Sequence, residues 1–391
     1  MSAAGQRPWP RVLGELRARL LRRSPYRTAR APHMRAMTSV DALLAAFVIA
    51  SLPALMVGLW NTGFQAFEAM EAAGVEVLTG WRGDLLSAVG VHRASAEPIA
   101  CLLLGLSFFL PLVLVALAVC VFWELVFATL RRRTVDPGWL MTGWLFVLLL
   151  PATLPIGLAA LGVTFAVVLG KHIFGGTGRY IASPPLLGVL FLYVSYPGFF
   201  EAPGALVPVP AGSAPATWAL LAEGGMEAAA QQGITWAQVF LGQEVATLGT
   251  GSSLACLIGA AFLIRTGAAS WRTLLGALGG LILTTLILNA AAGEDPAWQL
   301  PWYWQLAVGN FAFAIAFLAT DPTTSALTPG GRWIHGALIG VLTVLMRLVN
   351  PSHPEGVLFA ILVASLFTPA VDYAVLRVHT ARMRWAGGPT P

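Results

Sequence analysis

Apolar residues come in long unbroken runs along this chain, separated by short stretches of Gly, Pro, Arg and hydroxyl side chains. The runs fall at 42–61, 97–129, 137–153, 155–171, 183–198, 252–267, 271–291, 304–320, 334–349 and 356–377. Most approach the roughly 20 residues that a bilayer-spanning helix needs, and none shows the residue-by-residue alternation or even turn spacing of an outer-membrane barrel. The pattern predicts an all-α, polytopic membrane helical bundle of about ten transmembrane helices.

Composition supports that class. Of 391 residues, 57% are hydrophobic and 10% charged, with a mean hydropathy of +0.75, which is more apolar surface than a water-soluble domain can bury. Charge then sets an orientation. Nine arginines lie between Arg7 and Arg35, and basic residues return at Arg131–Arg133, Lys171, Arg179, Arg265, Arg272, Arg332, Arg377, Arg382 and Arg384. With ten spans these segments share one face, which the positive-inside rule makes cytoplasmic. The expected organisation is a basic cytoplasmic arm over 1–40, a transmembrane domain over 41–380 and a cytoplasmic tail over 381–391, with both termini inside a bacterial inner membrane. The outer face then carries 62–96 and 199–250; the latter contains Glu201, Glu223, Glu227 and Glu244, no Lys or Arg, and a Pro-rich opening. No cleavable signal is apparent, because the first apolar run has full membrane length. The net charge of +5 suits inner loops facing anionic lipid and does not call for nucleic acid. Cys101, Cys120 and Cys256 lie in apolar runs without CxxC spacing, so they read as packing residues, and no metal site is expected. Lys171 is the single lysine among 23 basic residues, which reads as genomic base bias.

Two Pro-broken hairpins echo each other. Gly138-Trp139-Leu140-Met141-Thr142-Gly143 and Pro151-Ala152-Thr153-Leu154-Pro155 parallel Gly331-Arg332-Trp333-Ile334-His335-Gly336 and Asn350-Pro351-Ser352-His353-Pro354. Such a pair predicts an internal repeat, with function near the repeat interface. Candidate chemistry is sparse. Glu124, Asp321 and Asp372 are carboxylates in or beside apolar runs, where ionisable groups are costly; each suits a cation pathway, or alternatively an interfacial anchor, a turn cap and an ion-pair partner in that order. Thr247-Leu248-Gly249-Thr250-Gly251-Ser252-Ser253 gathers glycines and hydroxyls where a helix begins, a natural seat for a phosphate. Gly170-Lys171-His172-Ile173-Phe174-Gly175-Gly176-Thr177-Gly178-Arg179 allows close backbone approach, yet it lacks the GK[ST] of a phosphate-binding loop and no strand precedes it.

The chain resembles the NqrB family, the flavin-carrying membrane subunit of the ion-pumping NADH:quinone oxidoreductase, which is related to the RnfD subunit of the Rnf electron-transport complex. The resemblance runs through Trp60-Asn61-Thr62-Gly63-Phe64-Gln65-Ala66, Phe122-Trp123-Glu124-Leu125-Val126-Phe127-Ala128, Gly170 to Gly178, Leu318-Ala319-Thr320-Asp321-Pro322, Asn350-Pro351-Ser352-His353-Pro354-Glu355-Gly356 and Phe367-Thr368-Pro369-Ala370-Val371-Asp372. It implies a subunit of a multi-subunit redox complex that passes electrons by flavin toward quinone while sodium ions or protons cross the membrane. Its partners would be the other Nqr- or Rnf-like subunits, quinone and the lipid bilayer. The implied cofactor is FMN near Gly249, Thr250, Ser252 and Ser253, with quinone or a second flavin, riboflavin among the candidates, near Gly175 and Gly176. The catalytic chemistry would belong to the cofactors and to no residue of the chain. The family's flavin-bearing threonine aligns with Gly251, which has no hydroxyl, so FMN is expected to be noncovalent or absent. The family's acidic run after the second span reads Arg133-Thr134-Val135-Asp136-Pro137 here, and its glutamate after the lysine is His172. Glu124, Asp321 and Asp372 remain for the cation. The alternatives are a flavin-free scaffold subunit of such a complex, and a solute channel or transporter on the same fold.

Overall fold

The structure, a computed structural model, describes residues 40–74, 81–88, 97–132, 134–200, 205–207, 217–291, 299–349 and 355–386. The basic arm, the end of the tail and much of the Pro-rich opening of 199–250 lie outside them. Among the described residues all regular structure is helical. The elements are α1 (Val40–Ala72), α2 (Trp81–Ala88), α3 (Pro98–Arg131), α4 (Trp139–Leu148), α5 (Ile156–Val167), α6 (Pro184–Ser195), α7 (Thr217–Gln231), α8 (Trp236–Leu241), α9 (Ser253–Arg265), α10 (Trp271–Ala291), α11 (Trp302–Ala307), α12 (Phe311–Phe313), α13 (Pro329–Val349) and α14 (Gly356–Ala386). Two π-helical turns, Val168–His172 and Ala314–Leu318, continue α5 and α12.

All ten apolar runs become helices, but among the described residues only five helices are long and apolar enough to cross a membrane alone: α1, α3, α10, α13 and the greater part of α14. The others are shortened by residues that cannot continue a helix. Pro151 and Pro155 stand between α4 and α5, and proline supplies no N–H to an interior helical position. The expected span 304–320 is broken at Val308–Asn310, where Gly309 takes a φ of 70°, a conformation that suits glycine. Irregular backbone at membrane depth is tolerable only when surrounded by protein, and here the segments on either side of both breaks are buried.

Small residues set the closest helix crossings. A methyl group at Gly280 of α10 would overlap the Ala337 carbonyl oxygen of α13, and one at Gly340 would overlap that of Ala277; Gly276 and Gly336 continue the same contact. This is the small-residue packing by which membrane helices gain van der Waals contact without a hydrophobic driving force. Gly63 of α1 against Cys101 of α3, and Gly105 of α3 against Leu59, repeat the device in the first half. The two echoing hairpins pack differently. The pair α13 and α14 runs side by side, whereas α4 packs mainly on α3, and α5 on α3 and α6.

A buried cation ties the loops at one end of the bundle. Arg347, 1% exposed, donates to the Gln305 carbonyl at 2.7 Å, to Gln305 Oε1 at 3.0 Å and to the Val308 carbonyl at 2.7 Å. Its guanidinium also lies 5.1 Å from the Trp218 ring centroid. Two buried carboxylates share its field. Burial pushes Glu244 up to about 8, against Thr217, Arg347 and the Gly309 N–H. It pushes Glu355 up to about 7, against Arg347 and Asn310.

The packing and the buried charges are each testable. Gly280→Val should destabilise the α10–α13 crossing by about 1–3 kcal/mol, the usual penalty for overpacking, read as a lower melting temperature of the purified protein in detergent. The charges act through pH. Both raised carboxylates bind their proton more tightly in the folded than in the unfolded chain, so their stabilisation is complete below the ordinary value of 4.5 and is lost as pH rises through about 7 and about 8. The melting temperature should fall across that window, and Glu244→Gln should flatten the upper part of the fall; an unchanged slope in the variant would refute the assignment.

Candidate functional site

Three places carry the residues that the sequence singles out. The first is the segment 247–253, which is sunk into the bundle. Leu248 N–H donates to the Leu150 carbonyl at 3.2 Å and Gly249 N–H to the Leu148 carbonyl at 2.7 Å, so the segment pairs with the end of α4 as a short ladder. α4 has ten residues, about 15 Å of helix and half a hydrocarbon core. The segment also meets α1 at its middle, where a methyl group on Gly58 would overlap the Leu248 carbonyl oxygen. The segment is therefore buried within the bundle.

Its hydroxyls are used internally. Thr247 and Thr250 share a hydrogen bond at 2.7 Å. Ser252 accepts from Ala255 N–H at 3.2 Å and so caps α9, and Ser253 donates to the Ala307 carbonyl at 3.1 Å. All four are buried. Gly249 packs on Leu148, where a Cβ would come within 2.6 Å of the Leu148 Cβ. Gly251 differs: an added Cβ would meet Asn61 Nδ2 at 3.4 Å and Ala246 Cβ at 3.6 Å, ordinary contact distances. Space for a side chain is present at 251, but the hydroxyl is not. With its hydroxyls engaged and no Lys or Arg in 242–264, the segment does not fit a phosphate.

Beside it opens a cleft of about 270 Å³, walled by Phe64, Val239 and Val245 and edged by Gln65, Gln243 and Glu244. Gln65 Nε2 donates to the Gln243 carbonyl at 3.0 Å, and Asn61 Nδ2 to the Glu244 carbonyl at 2.5 Å. The lining contains amides and two carboxylates, Glu68 and Glu244, and no basic residue. Such a lining can hydrogen-bond a neutral ligand but repels a phosphate.

The second place is at the other end of α4. The π-turn Val168–His172 carries Lys171 and His172 inward, and π-turns inside α-helices recur at functional positions. Lys171, fully buried, sits 2.5 Å from Glu124 Oε1 and 3.6 Å from Asp136 Oδ1. His172 Nε2 lies 3.4 Å from Glu124 Oε2, and its ring stacks on Phe127 with centroids 4.3 Å apart. Burial opposes ionisation of Asp136, but the Lys171 ammonium and hydrogen bonds from Thr177 and the Gly138 N–H hold its carboxyl below the ordinary range. Gly175 and Gly176, expected to admit a quinone or second flavin, have a structural duty. Their φ values are 112° and 103°, and a Cβ on Gly176 would lie 2.5 Å from Asp136 Oδ2; the turn needs glycine to bring the Thr177 N–H within 2.5 Å of that oxygen.

The remaining carboxylates have different settings. Asp321, fully buried after the second π-turn, accepts from Thr323 N–H at 3.0 Å and Thr323 Oγ1 at 2.6 Å through Oδ1. Its Oδ2 keeps no full hydrogen bond. Asp372 is saturated by Leu327 N–H at 2.8 Å, Thr328 N–H at 3.0 Å and Thr328 Oγ1 at 2.5 Å. It clamps α14 to the start of α13. Glu124 and Asp136 thus meet around Lys171, while Asp321 and Asp372 belong to separate clusters. Lys171 and Arg347 are the organising cations, and the sequence pattern understates both. The lone lysine in an arginine-rich chain was the available signal for the first; the second had none beyond a charge at the end of an apolar run.

Comparison with known proteins covers the whole transmembrane region. The family model for the NQR2, RnfD, RnfE family matches residues 27–380. The chain is 39% identical over 359 residues to the B subunit of the Na(+)-translocating NADH-quinone reductase of Chromohalobacter salexigens, covering 92% of this chain and 87% of that protein. It is 38% identical over 357 residues to the protein of the same name from Ectopseudomonas mendocina, covering 90% and 87%. A third, from Neisseria meningitidis serogroup A, is 38% identical over 365 residues, covering 91% and 89%. The motif-by-motif resemblance and the helical membrane bundle agree with these matches. The chain belongs to the NQR2, RnfD, RnfE family.

Proposed function

We propose that this chain is a multi-pass membrane subunit of a redox-driven, cation-translocating electron-transport complex that delivers electrons to quinone. The observation that carries the reading is its match, over about nine-tenths of its length, to relatives named as the B subunit of a Na(+)-translocating NADH-quinone reductase. The other subunits of an Nqr- or Rnf-like complex are its partners. The arginine distribution supports a bacterial inner membrane with both termini, and the Lys171 end of the bundle, in the cytoplasm.

Position 251 cannot form a phosphoester, the hydroxyls of Thr247, Thr250 and Ser253 are tied within the fold, Ser252 Oγ accepts from Ala255 N–H, and no Lys or Arg accompanies them, a setting that disfavours FMN there. A flavin-free role as scaffold is the second reading that this geometry favours. A flavin retained by the chain would suit the amide-edged cleft better than the buried segment, and riboflavin, which has no phosphate, matches its lining. When bound, a flavin supplies one- and two-electron chemistry; the chain supplies amides to orient it and the walls of Phe64 and Val239 to exclude water.

For the cation, Asp321 is the carboxylate we assign to the membrane route, because it is buried with one oxygen left without a full hydrogen bond. Glu124 belongs to the cytoplasmic mouth of the same route, and Asp372 to its frame.

Two experiments test these assignments. The denatured subunit from the purified complex should show no flavin fluorescence on a gel. Gly251→Thr should keep close to the wild-type melting temperature, since the added Cβ has room; a fluorescent wild-type band overturns the claim. Separately, Asp321→Asn should reduce cation transport per electron by about tenfold or more, a loss of at least ~1.4 kcal/mol in coupling, with little change in melting temperature. Asp372→Asn should do the reverse, lowering melting temperature by a few degrees, about 1 kcal/mol for weakened hydrogen bonds at a half-buried position. Equal behaviour of the two variants in both assays would remove the distinction.

A further inference from the structure

At the Lys171 end one contact is left over once the fold is accounted for. Glu124 uses Oε1 for the Lys171 ammonium, 2.5 Å away, while its Oε2 faces His172 Nε2 across 3.4 Å. Both facing atoms are buried, and neither has a hydrogen bond. A buried polar atom without a partner is expensive; a neutral imidazole can meet Oε2 through its own Nε2–H, and one further proton on Nδ1 turns that contact into an ion pair.

The charges around the couple favour that proton. α3 contributes Cys120, Glu124 and Arg131; the link before α4 contributes Asp136; the π-turn contributes Lys171 and His172; and the turn that follows contributes Arg179 and Tyr180. Arg131 points its guanidinium to the His172 carbonyl at 2.7 Å and lies over Phe127, and Arg179 packs on Gly175. The buried centre itself holds Glu124, Asp136 and Lys171. With a neutral imidazole its formal charge is −1, and one added proton brings it to zero, the state that burial prefers.

The imidazole is held ready for this. Its ring is fixed by the Phe127 stack and its backbone by Arg131. Histidine is the side chain whose ordinary titration falls near neutral pH. A sodium ion is poorly served by the same atoms. It needs several oxygen ligands, whereas here one carboxylate oxygen is already bound to an ammonium and the atom opposite the other is nitrogen.

We propose that Glu124 and His172 form a proton-binding couple at the cytoplasmic mouth of the cation route, with Lys171 as its fixed countercharge. This deepens the reading that the complex moves a cation and rests on it. The step is a simple uptake: one proton arrives from water, one N–H or O–H bond forms, and the cluster loses one unit of negative charge.

Infrared difference spectroscopy of the assembled complex at rest, titrated between about pH 5 and pH 9 around the ordinary histidine range, tests the couple. Wild type should show an imidazole step coupled to a carboxylate change, with the same midpoint in sodium and in potassium buffer. His172→Gln should remove the imidazole step together with the part of the carboxylate change coupled to it, leaving the signals of Glu244 and Glu355, and so should His172→Phe, which keeps an aromatic ring on Phe127; each variant should take up one proton fewer than wild type. A carboxylate change of wild-type size in both variants, or a wild-type midpoint that moves with sodium, overturns the proposal. No turnover is involved, so this outcome is independent of whether the complex reduces quinone.

Discussion

Backbone polar groups inside a bilayer have no water to turn to, and this chain interrupts its helices at membrane depth twice. The break after α4 is stabilised by the segment that precedes α9, through the hydrogen bonds from Leu248 and Gly249 to the carbonyls of Leu150 and Leu148. Much else hangs on that short ladder. It joins the first half of the chain to the second and brings Gly249 onto Leu148. It also sets Ser252 as the cap of α9 and leaves Asn61 to hold the Glu244 carbonyl. The second break, at Val308–Asn310, is secured in turn by Arg347 and by Ser253. The two interruptions are therefore neighbours, fastened by one irregular segment.

Polar residues in this bundle are consequently ambiguous as functional signals. The hydroxyls of 247–253 look like a phosphate seat in the sequence, yet the fold needs them to satisfy carbonyls and amides that lipid cannot. Asp372 follows the same logic, giving both oxygens to the 327–328 turn. Glu124 and Asp321 stand apart because each is buried with one oxygen short of a full hydrogen bond. Unfinished hydrogen bonding distinguishes them better than mere presence in an apolar run.

The helical membrane class and the order of its segments were legible in the sequence because apolar run length follows directly from bilayer thickness. Depth was not. Nothing in Thr247-Leu248-Gly249 tells whether a ladder partner waits at Leu148, since the two are separated by some hundred residues. The tertiary reach of Lys171 was equally hidden: its partners Glu124 and Asp136 come from another helix and another link. Gly175 and Gly176 allow close backbone approach in the sequence, and the positive φ values and the carboxylate of Asp136 add a demand for glycine that only the folded turn reveals.

Gly251 is where packing and chemistry part company. Gly249, two residues earlier, is forced by contact with Leu148, but a side chain at 251 would meet only Asn61 and Ala246 at ordinary distances. Its lack of a side chain is thus no requirement of packing. The fold has room for a side chain at 251. That position can change without disturbing the bundle, because the ladder to α4 and the cap of α9 depend on residues 248, 249 and 252 and not on 251. What the bundle cannot shed so easily is Lys171, whose removal leaves the carboxylates of Glu124 and Asp136 facing each other without their countercharge.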